Sequence, residues 1–456
     1  KAGAKAPSLR IASIDMGGGT TDLSITTYAL NDPVAPLSLI TPRQDFRDGF
    51  NVAGDDIMRQ IILNQFIAKI ARAAAEAGVP DAESLVGDLF KDTPQMGAAP
   101  GGNAGKILRG QFVAQTAVPV ALHILKRYEE ADLSGDDLEF SVRVGDVPGL
   151  AGREADGRLA EVLGYMEKPL RAAGWADFSL LDLTLAVDLR EVDRDADSIV
   201  EKMMADMGEV VKLYDCDVLI LTGRPSRWPA MMRAPYARLF LPVDRVVHMH
   251  QYRVGAGYPF VAHGRIEDPK TTVVVGAIIC ALAEGSLEGI AIDTANFVPQ
   301  PTTRYLGELD AHGRLERELV WFADIDVNSD KEFKETCGIT FKGPTAVGFR
   351  QLSCPRWTTT RLYSLEFKTA EAQEEAKGRL PYAVSIEYSL KEAGEPDEAP
   401  RPPGRLRRAE GVLKVLSVVD KNGKGNALPP GKLTARLQTL RRDDGYWLDT
   451  GALYNL

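Results

Sequence analysis

The chain has 456 residues, 45% of them apolar and 26% charged, an ordinary globular composition whose length suggests roughly three domains of about 150 residues each. Its 54 Lys and Arg stand against 64 Asp and Glu, a formal charge of −10 that argues against a surface devoted to nucleic-acid phosphates. The longest apolar stretch, Val273 to Ala283, falls well short of the ~18 to 20 residues of a membrane span, so no membrane crossing is expected.

At the front, Lys1 to Ser8 carries neither an initiator Met nor an apolar leader core, and reads as the start of a fragment or processed product. Ile11 to Met16 and Asp22 to Tyr28 lean toward β structure around Gly17-Gly18-Gly19-Thr20-Thr21, which predicts a hairpin. Asp55 to Ala77 spaces Ile57, Ile61, Phe66 and Ile70 as one helical face, with acids in front and Gly78 and Pro80 behind. Gln95 to Gly105 reads as a loop, Val113 to Tyr128 as helix and Leu180 to Val187 as strand. Asp197 to Tyr214 sets Ile199, Met203, Met207, Val210 and Tyr214 on one helical face, a core stripe. Val218 to Leu221 is a short apolar strand of the doubly buried kind, running into Thr222-Gly223-Arg224-Pro225-Ser226-Arg227. In Thr271 to Glu284, Gly276-Ala277 would let another backbone come close.

Beyond about Asn296 the texture changes to short β-leaning runs: Arg304 to Asp326, Gly338 to Arg350, Arg361 to Phe367, Tyr382 to Leu390, Val412 to Val419 and Leu433 to Leu440. They predict a separate all-β domain that also takes Trp321, Trp357 and Trp447, with Tyr446-Trp447 flanking a hairpin at Asp443-Asp444-Gly445. Gly394 to Arg408 is Pro-rich with segregated charges and reads as an exposed loop. Cys216, Cys280, Cys337 and Cys354 form no CxxC pair and no zinc spacing, which suits free buried thiols in a reducing, cytoplasmic compartment. His248 and His250 alternate on a strand and read as exposed histidines before they read as two metal ligands, since no third ligand stands nearby.

Chemistry concentrates at the glycine hairpin. Three glycines permit positive φ and bare their N–H groups to phosphate oxygens, and Thr20 and Thr21 add hydroxyl donors. Asp15 beside such a cradle would repel a bare phosphate, which implies Mg²⁺ or an oriented water between them. The turn is neither a P-loop, which needs GxxxxGK[ST], nor a dinucleotide fingerprint, because its glycines lead into a second strand. The alternative is a plain tight turn.

The segment Ile14-Asp15-Met16-Gly17-Gly18-Gly19-Thr20-Thr21-Asp22-Leu23-Ser24 resembles the second phosphate loop of the actin, hexokinase and DnaK-type chaperone ATPases. Gly49 to Ile57, with Ala53-Gly54-Asp55-Asp56, is similar to the segment that opens a small-subdomain helix there; Leu219 to Pro229 resembles the adenosine loop, and Glu267 to Leu282 the last helix. The layout as a whole resembles the bacterial SrfB-type virulence factors. The resemblance implies an actin-like, ribonuclease H-like α/β lobe over 9–290, with a small α-rich subdomain at about 50–175, and then an all-β domain over 297–456. It implies ATP and Mg²⁺ as cofactors. Asp15 would hold the Mg²⁺ water shell or the attacking water, and Asp22 would position metal or water. The backbone of Gly17, Gly18, Gly19 and Thr20 would bind β- and γ-phosphates. Gly54 would stand at the subdomain helix, Gly223 under the ribose or α-phosphate, and Arg227 against adenine. Lys126 and Arg127 are adenosine-side candidates or a solvated face.

Two departures accompany this pattern. Arg224 and Pro225 replace a glycine and serine of the adenosine loop, so that Arg224 either reaches phosphate or pairs with an acid elsewhere. The first phosphate loop is absent, which leaves the chain as the second lobe, dependent on a missing N-terminal lobe for turnover. Three functions follow: a nucleotide-driven switch coupled to a β domain that binds a protein partner, a non-catalytic interaction scaffold, or a sugar or acetate kinase relative.

Overall fold

A computed structural model describes residues 7–30, 38–91, 102–153, 156–238, 241–284, 289–293, 302–326, 333–392, 409–420, 428–437 and 446–454. It is mixed α/β, with several separate open sheets. Two compact units interleave along the chain. A helix-rich unit takes Arg10–Ile25, Gly49–Gly276 and Asp444–Leu456; a β-rich unit takes Lys1–Leu9, Thr26–Asp48 and Ala277–Asp443.

The helix-rich unit starts from the turn-proximal parts of β1 (Ser8–Met16) and β2 (Thr21–Leu30), which lie within Arg10–Ile25. Ala12, Ile14 and Met16 are buried at the period of two that puts alternate side chains on one face. β3 (Ser38–Phe50) ends in this unit, just before the first helix. That helix runs as Gly54–Ile61, a π turn at Ile62–Ile67, and Ala68–Glu76. Its start is fixed by Asp56, whose Oδ2 accepts from the Ala53 N–H at 2.9 Å, and its end by Gly78 at φ +89°. The loop expected from Gln95 lies outside the described residues as far as 101. Helix is already formed at Gly102 and continues through a second π turn, Val113–Ala117, to Glu129.

The next pair, β4 (Glu139–Arg143) and β5 (Thr184–Asp188), is antiparallel. The strand predicted from Leu180 begins only at Thr184, because Leu180–Asp182 closes a 3-10 turn that buries Leu180 and Leu181. Asp156 caps the helix Gly157–Ala172, and Asp188 caps Leu189–Leu213, which buries Met203, Met207 and Val210 as one stripe. β6 (Val218–Thr222) then lies parallel to β1, Ile11 opposite Val218 and Asp15 opposite Thr222, and β7 (Val246–His248) lies parallel to β6. A small hairpin, β8 (Val261–Ala262) and β9 (Arg265–Ile266), follows. Its two turn residues, His263 and Gly264, both have positive φ, as a tight hairpin requires. In the helix Thr272–Ala283, a β-carbon at Gly276 would meet nothing within 4 Å among the described residues, so none of their backbone approaches there, contrary to the sequence expectation. Among the described residues no helix is long and apolar enough to cross a membrane.

In the β-rich unit β10 (Ile290–Ile292) pairs parallel with the first residues of β3. The other strands are β11 (Tyr305–Glu308), β12 (Val320–Phe322), β13 (Lys334–Phe341), β14 (Thr345–Arg350), β15 (Thr360–Phe367), β16 (Tyr382–Glu392), β17 (Ala409–Asp420) and β18 (Leu433–Leu437). They form a five-stranded sheet, β12-β11-β14-β15-β18, and a three-stranded sheet, β13-β16-β17. Leu306, Phe322, Val347, Leu365, Val384, Ile386 and Tyr388 are buried in their common core, and Trp321 packs against it. A helix, Ala370–Ala376, interrupts the strands, so this unit is not wholly β. Trp357 is buried with its indole N–H donated to Asp48 Oδ2 at 2.6 Å and its ring edge-on to Phe46. Trp447, placed by the sequence reading in the β domain, is instead buried in the helix-rich unit, on the short helix Trp447–Thr450. The predicted hairpin turn at 443–445 and the loop at 394–408 lie outside the described residues.

Candidate functional site

All the sequence-predicted site residues lie in the helix-rich unit, and most of them meet around the glycine turn. Gly17 N–H closes the turn on Thr20 O at 2.8 Å. The carbonyls of Gly17 and Gly18 point toward the first helix and accept its leading N–H groups, Gly54 at 3.1 Å and Asp55 at 2.8 Å. Two of the four donors that a helix start leaves unpaired are thereby satisfied. Gly54 is confined from both sides: a β-carbon there would lie 2.7 Å from the Pro225 ring and 3.2 Å from Gly17 O.

The adenosine-like segment reaches the same place. Gly223 has φ +85°, and a β-carbon on it would lie 2.1 Å from Met16 O and 2.7 Å from Asp15 Oδ1. The parallel register of β1 and β6, with Asp15 opposite Thr222, brings these two strand ends together although some 200 residues separate them in sequence. Ser226, buried, donates its hydroxyl to Gly223 O at 2.7 Å and fixes the turn after it. Thr222 ties the strand end to the last helix, donating to Pro269 O at 3.0 Å beside the Thr272 hydroxyl at 2.8 Å.

The resulting surface has donors and acids side by side. The N–H groups of Gly18, Gly19 and Thr20 have no hydrogen-bond partner among the described residues, and all three residues are exposed. Asp15 is half-buried, and burial first, then the charge of Asp22, holds its carboxyl above the usual 3.8. Asp22 is exposed, with an oxygen 3.0 Å from where a Gly49 β-carbon would stand. Thr20 faces solvent, whereas Thr21 is buried with its hydroxyl donated to Val52 O at 2.6 Å, so its donor already has a partner.

The two arginines behave differently from the phosphate and adenine roles that resemblance implied. One carboxylate, Glu129, receives both: Arg224 at 2.9 Å and Arg227 at 2.7 Å. Arg227 also donates to Glu267 O at 2.7 Å. Of the two alternatives for Arg224, the structure has the acid pair. Arg127 lies over the Phe140 ring, 5.4 Å from its centre, and Lys126 is exposed.

Three participants were not assigned to this site by sequence reasoning. Glu129 is one. The others are Asp55 and Tyr446. An Asp55 oxygen lies 2.9 Å from where a Gly18 β-carbon would be, and the Tyr446 hydroxyl lies 3.5 Å from the corresponding point on Gly19. That hydroxyl donates to Asp55 Oδ2. Burial, followed by the Asp56 charge, raises the Asp55 carboxyl. Asp55 stands in the quoted motif as an acid at a helix start, but a contact with a residue 391 positions away leaves no local pattern.

The two histidines are not exposed. His248 is buried, its Nε2 3.0 Å from the Tyr236 hydroxyl, and His250 is half-buried with its ring edge-on to His248. Among the described residues no group of three or more His, Cys, Asp or Glu could hold a metal. None of the four cysteines is in a disulfide; of them Cys216 is buried, Cys337 and Cys354 are partly buried and Cys280 is exposed.

The chain belongs to the SrfB family of virulence factors, whose sequence model matches residues 1–454. No curated protein matches it significantly.

Proposed function

We propose that this member of the SrfB family binds a magnesium nucleotide at the glycine turn, as a virulence-associated, actin-like nucleotide switch whose β-rich unit meets a protein partner. The observation that carries the reading is the row of unpartnered N–H groups on Gly18, Gly19 and Thr20, set between a half-buried Asp15 and the close approach of Gly223. Backbone N–H groups in a glycine turn suit phosphate oxygens. With the acids near the turn forming no metal cage among the described residues, Mg²⁺ would be held by Asp15 through water and by the phosphates themselves, its usual manner of binding. Metal charge there would also relieve the repulsion between Asp15 and Asp22.

A second reading, a non-catalytic scaffold, is favoured by a specific contact. Asp55 and Tyr446 cover the α-carbons of Gly18 and Gly19, and Arg224 and Arg227 are both engaged by Glu129. Calorimetric titration with Mg-ATP separates the two. Saturable binding that weakens roughly tenfold or more, about 1.4 kcal/mol, in Asp15→Asn is the result expected of the switch. Absence of binding at millimolar Mg-ATP leaves the scaffold; ATP turnover in the same samples tells whether hydrolysis accompanies binding.

A further inference from the structure

A second site lies in the stretch from His250 to Glu267, a different part of the chain from the glycine turn. There a cavity of about 640 Å³ is lined by Arg227, His250, Arg253, His263, Arg265 and Glu267, with Ala262, Gly264 and Ile266 filling the gaps. Its size is that of a small-molecule pocket. Its lining is not apolar, as most such pockets are. It carries three guanidiniums against one carboxylate.

How two of those arginines are placed is the telling feature. Arg253 and Arg265 are directly opposed antiparallel partners. The flanking bonds, Val254 N–H to Gly264 O at 3.1 Å and Ile266 N–H to Tyr252 O at 3.3 Å, make theirs a pair without mutual hydrogen bonds. In that arrangement side chains leave the same face at the closest cross-strand spacing, and like charges so opposed are destabilising. Neither side chain has an ion pair or hydrogen bond among the described residues to offset this. Arg227, already held by Glu129 and the Glu267 carbonyl, also lines the cavity, and the buried Nδ1 of His250 has no hydrogen-bond partner among the described residues. Burial first, and then the positive groups His248, Arg227 and Arg265, push His250 down to about 4. The opposed arginines disfavour a further cation here, and an anion between them would offset their repulsion.

We propose that this cavity binds a small polyanion, a molecule bearing two or more phosphate or carboxylate groups, with Arg253 and Arg265 gripping one oxyanion group between them and Arg227 and His250 meeting another. The planar fork of arginine matches both kinds of oxyanion. The hairpin turn at His263-Gly264 holds Arg265 in register with Arg253.

The test is titration calorimetry of the whole chain with pyrophosphate and with citrate, at low salt and without magnesium, on the parent and on the double variant Arg253→Ala/Arg265→Ala. Both arginines are exposed, so the variant keeps the fold, and without anion it melts no lower than the parent. Saturable binding of at least one probe, weakened about tenfold or more by the double variant, is expected. Tighter pyrophosphate marks a phosphorylated ligand; tighter citrate marks a polycarboxylate. The proposal is overturned if neither probe binds at millimolar concentration, or if the double variant binds as the parent does. It is also overturned if Asp15→Asn, and not the double variant, alters binding in either direction, because the probe then sits at the glycine turn. Failure of Mg-ATP to bind leaves this site untouched.

Discussion

A β-carbon on Gly223 would stand 2.1 Å from a carbonyl oxygen, in a backbone conformation at φ +85° that side chains rarely adopt. Gly276 is the opposite case, mid-helix with open space around it. Gly223→Ala is therefore expected to lower the stability of the helix-rich unit by about 2–4 kcal/mol, since positive φ and backbone displacement both count against it. Gly276→Ala should raise stability by about 0.5–1 kcal/mol through helix propensity alone. Urea unfolding of the two variants reads both signs, and a Gly223→Ala variant as stable as the parent would refute the close approach of β1 and the turn after β6. Residues of this kind were legible in the sequence, because a glycine after a buried strand or an acid before three glycines is a local signal. Glu129 was not. Its meaning lies in partners about a hundred residues away, Arg224 and Arg227, and an ion pair of that span has no spacing to detect.

Between elements, the glycine turn and the helix after it act as one piece, because turn carbonyls satisfy the helix's leading N–H groups. The helix boundaries could be read from acids in the first turn and Gly78 at the end, whereas the π turn at Ile62–Ile67 could not, since its apolar residues keep the helical period. The last segment was misread for a related reason. Tyr446-Trp447 resembles a hairpin flank locally, but its fate is set by distant contacts. Arg109, buried, donates Nε to Thr450 O at 2.8 Å, Leu453 N–H bonds Phe90 O at 3.0 Å, and Gly451 packs against the Arg109 carbonyl. Those bonds hold the segment without Tyr446, so Tyr446→Ala should leave it docked while clearing Gly19 and freeing Asp55. The expected result has opposed signs. Stability falls by about 1–2 kcal/mol for the lost hydrogen bond and packing, while Mg-ATP binds more tightly to the uncovered turn. Hydrogen exchange over 446–454 and calorimetry on one sample check both; weaker Mg-ATP binding with the segment still protected would mean that the tyrosine belongs to the nucleotide site.

At the scale of the molecule, neither unit is a contiguous piece of sequence. The change in texture near Asn296 precedes the run of antiparallel strands β11 to β18, which fall on the six β-leaning runs, two of those runs each split between two strands. A reading that moves along the chain can detect such a change, but it cannot see that Thr26–Asp48 packs with the strands that come more than 250 residues later. The reason lies in particular side chains. Asp48 accepts the buried Trp357 indole N–H, Phe46 packs edge-on to the same ring, Gln351 donates to the Arg47 carbonyl, and β10 pairs with β3. A fragment covering 297–456 keeps both antiparallel sheets but loses the Phe46, Arg47 and Asp48 partners and opens the Trp357 indole to water, losing a hydrogen bond to a charged group that contributes about 1.5–3 kcal/mol. Expressed by itself, it should show strand-type circular dichroism with a broad, low-temperature melt and a red-shifted tryptophan emission. In the whole chain, Asp48→Ala should reproduce the emission shift with the sheets intact. A fragment that melts as sharply as the whole chain would show that the early segment contributes nothing to the β-rich core.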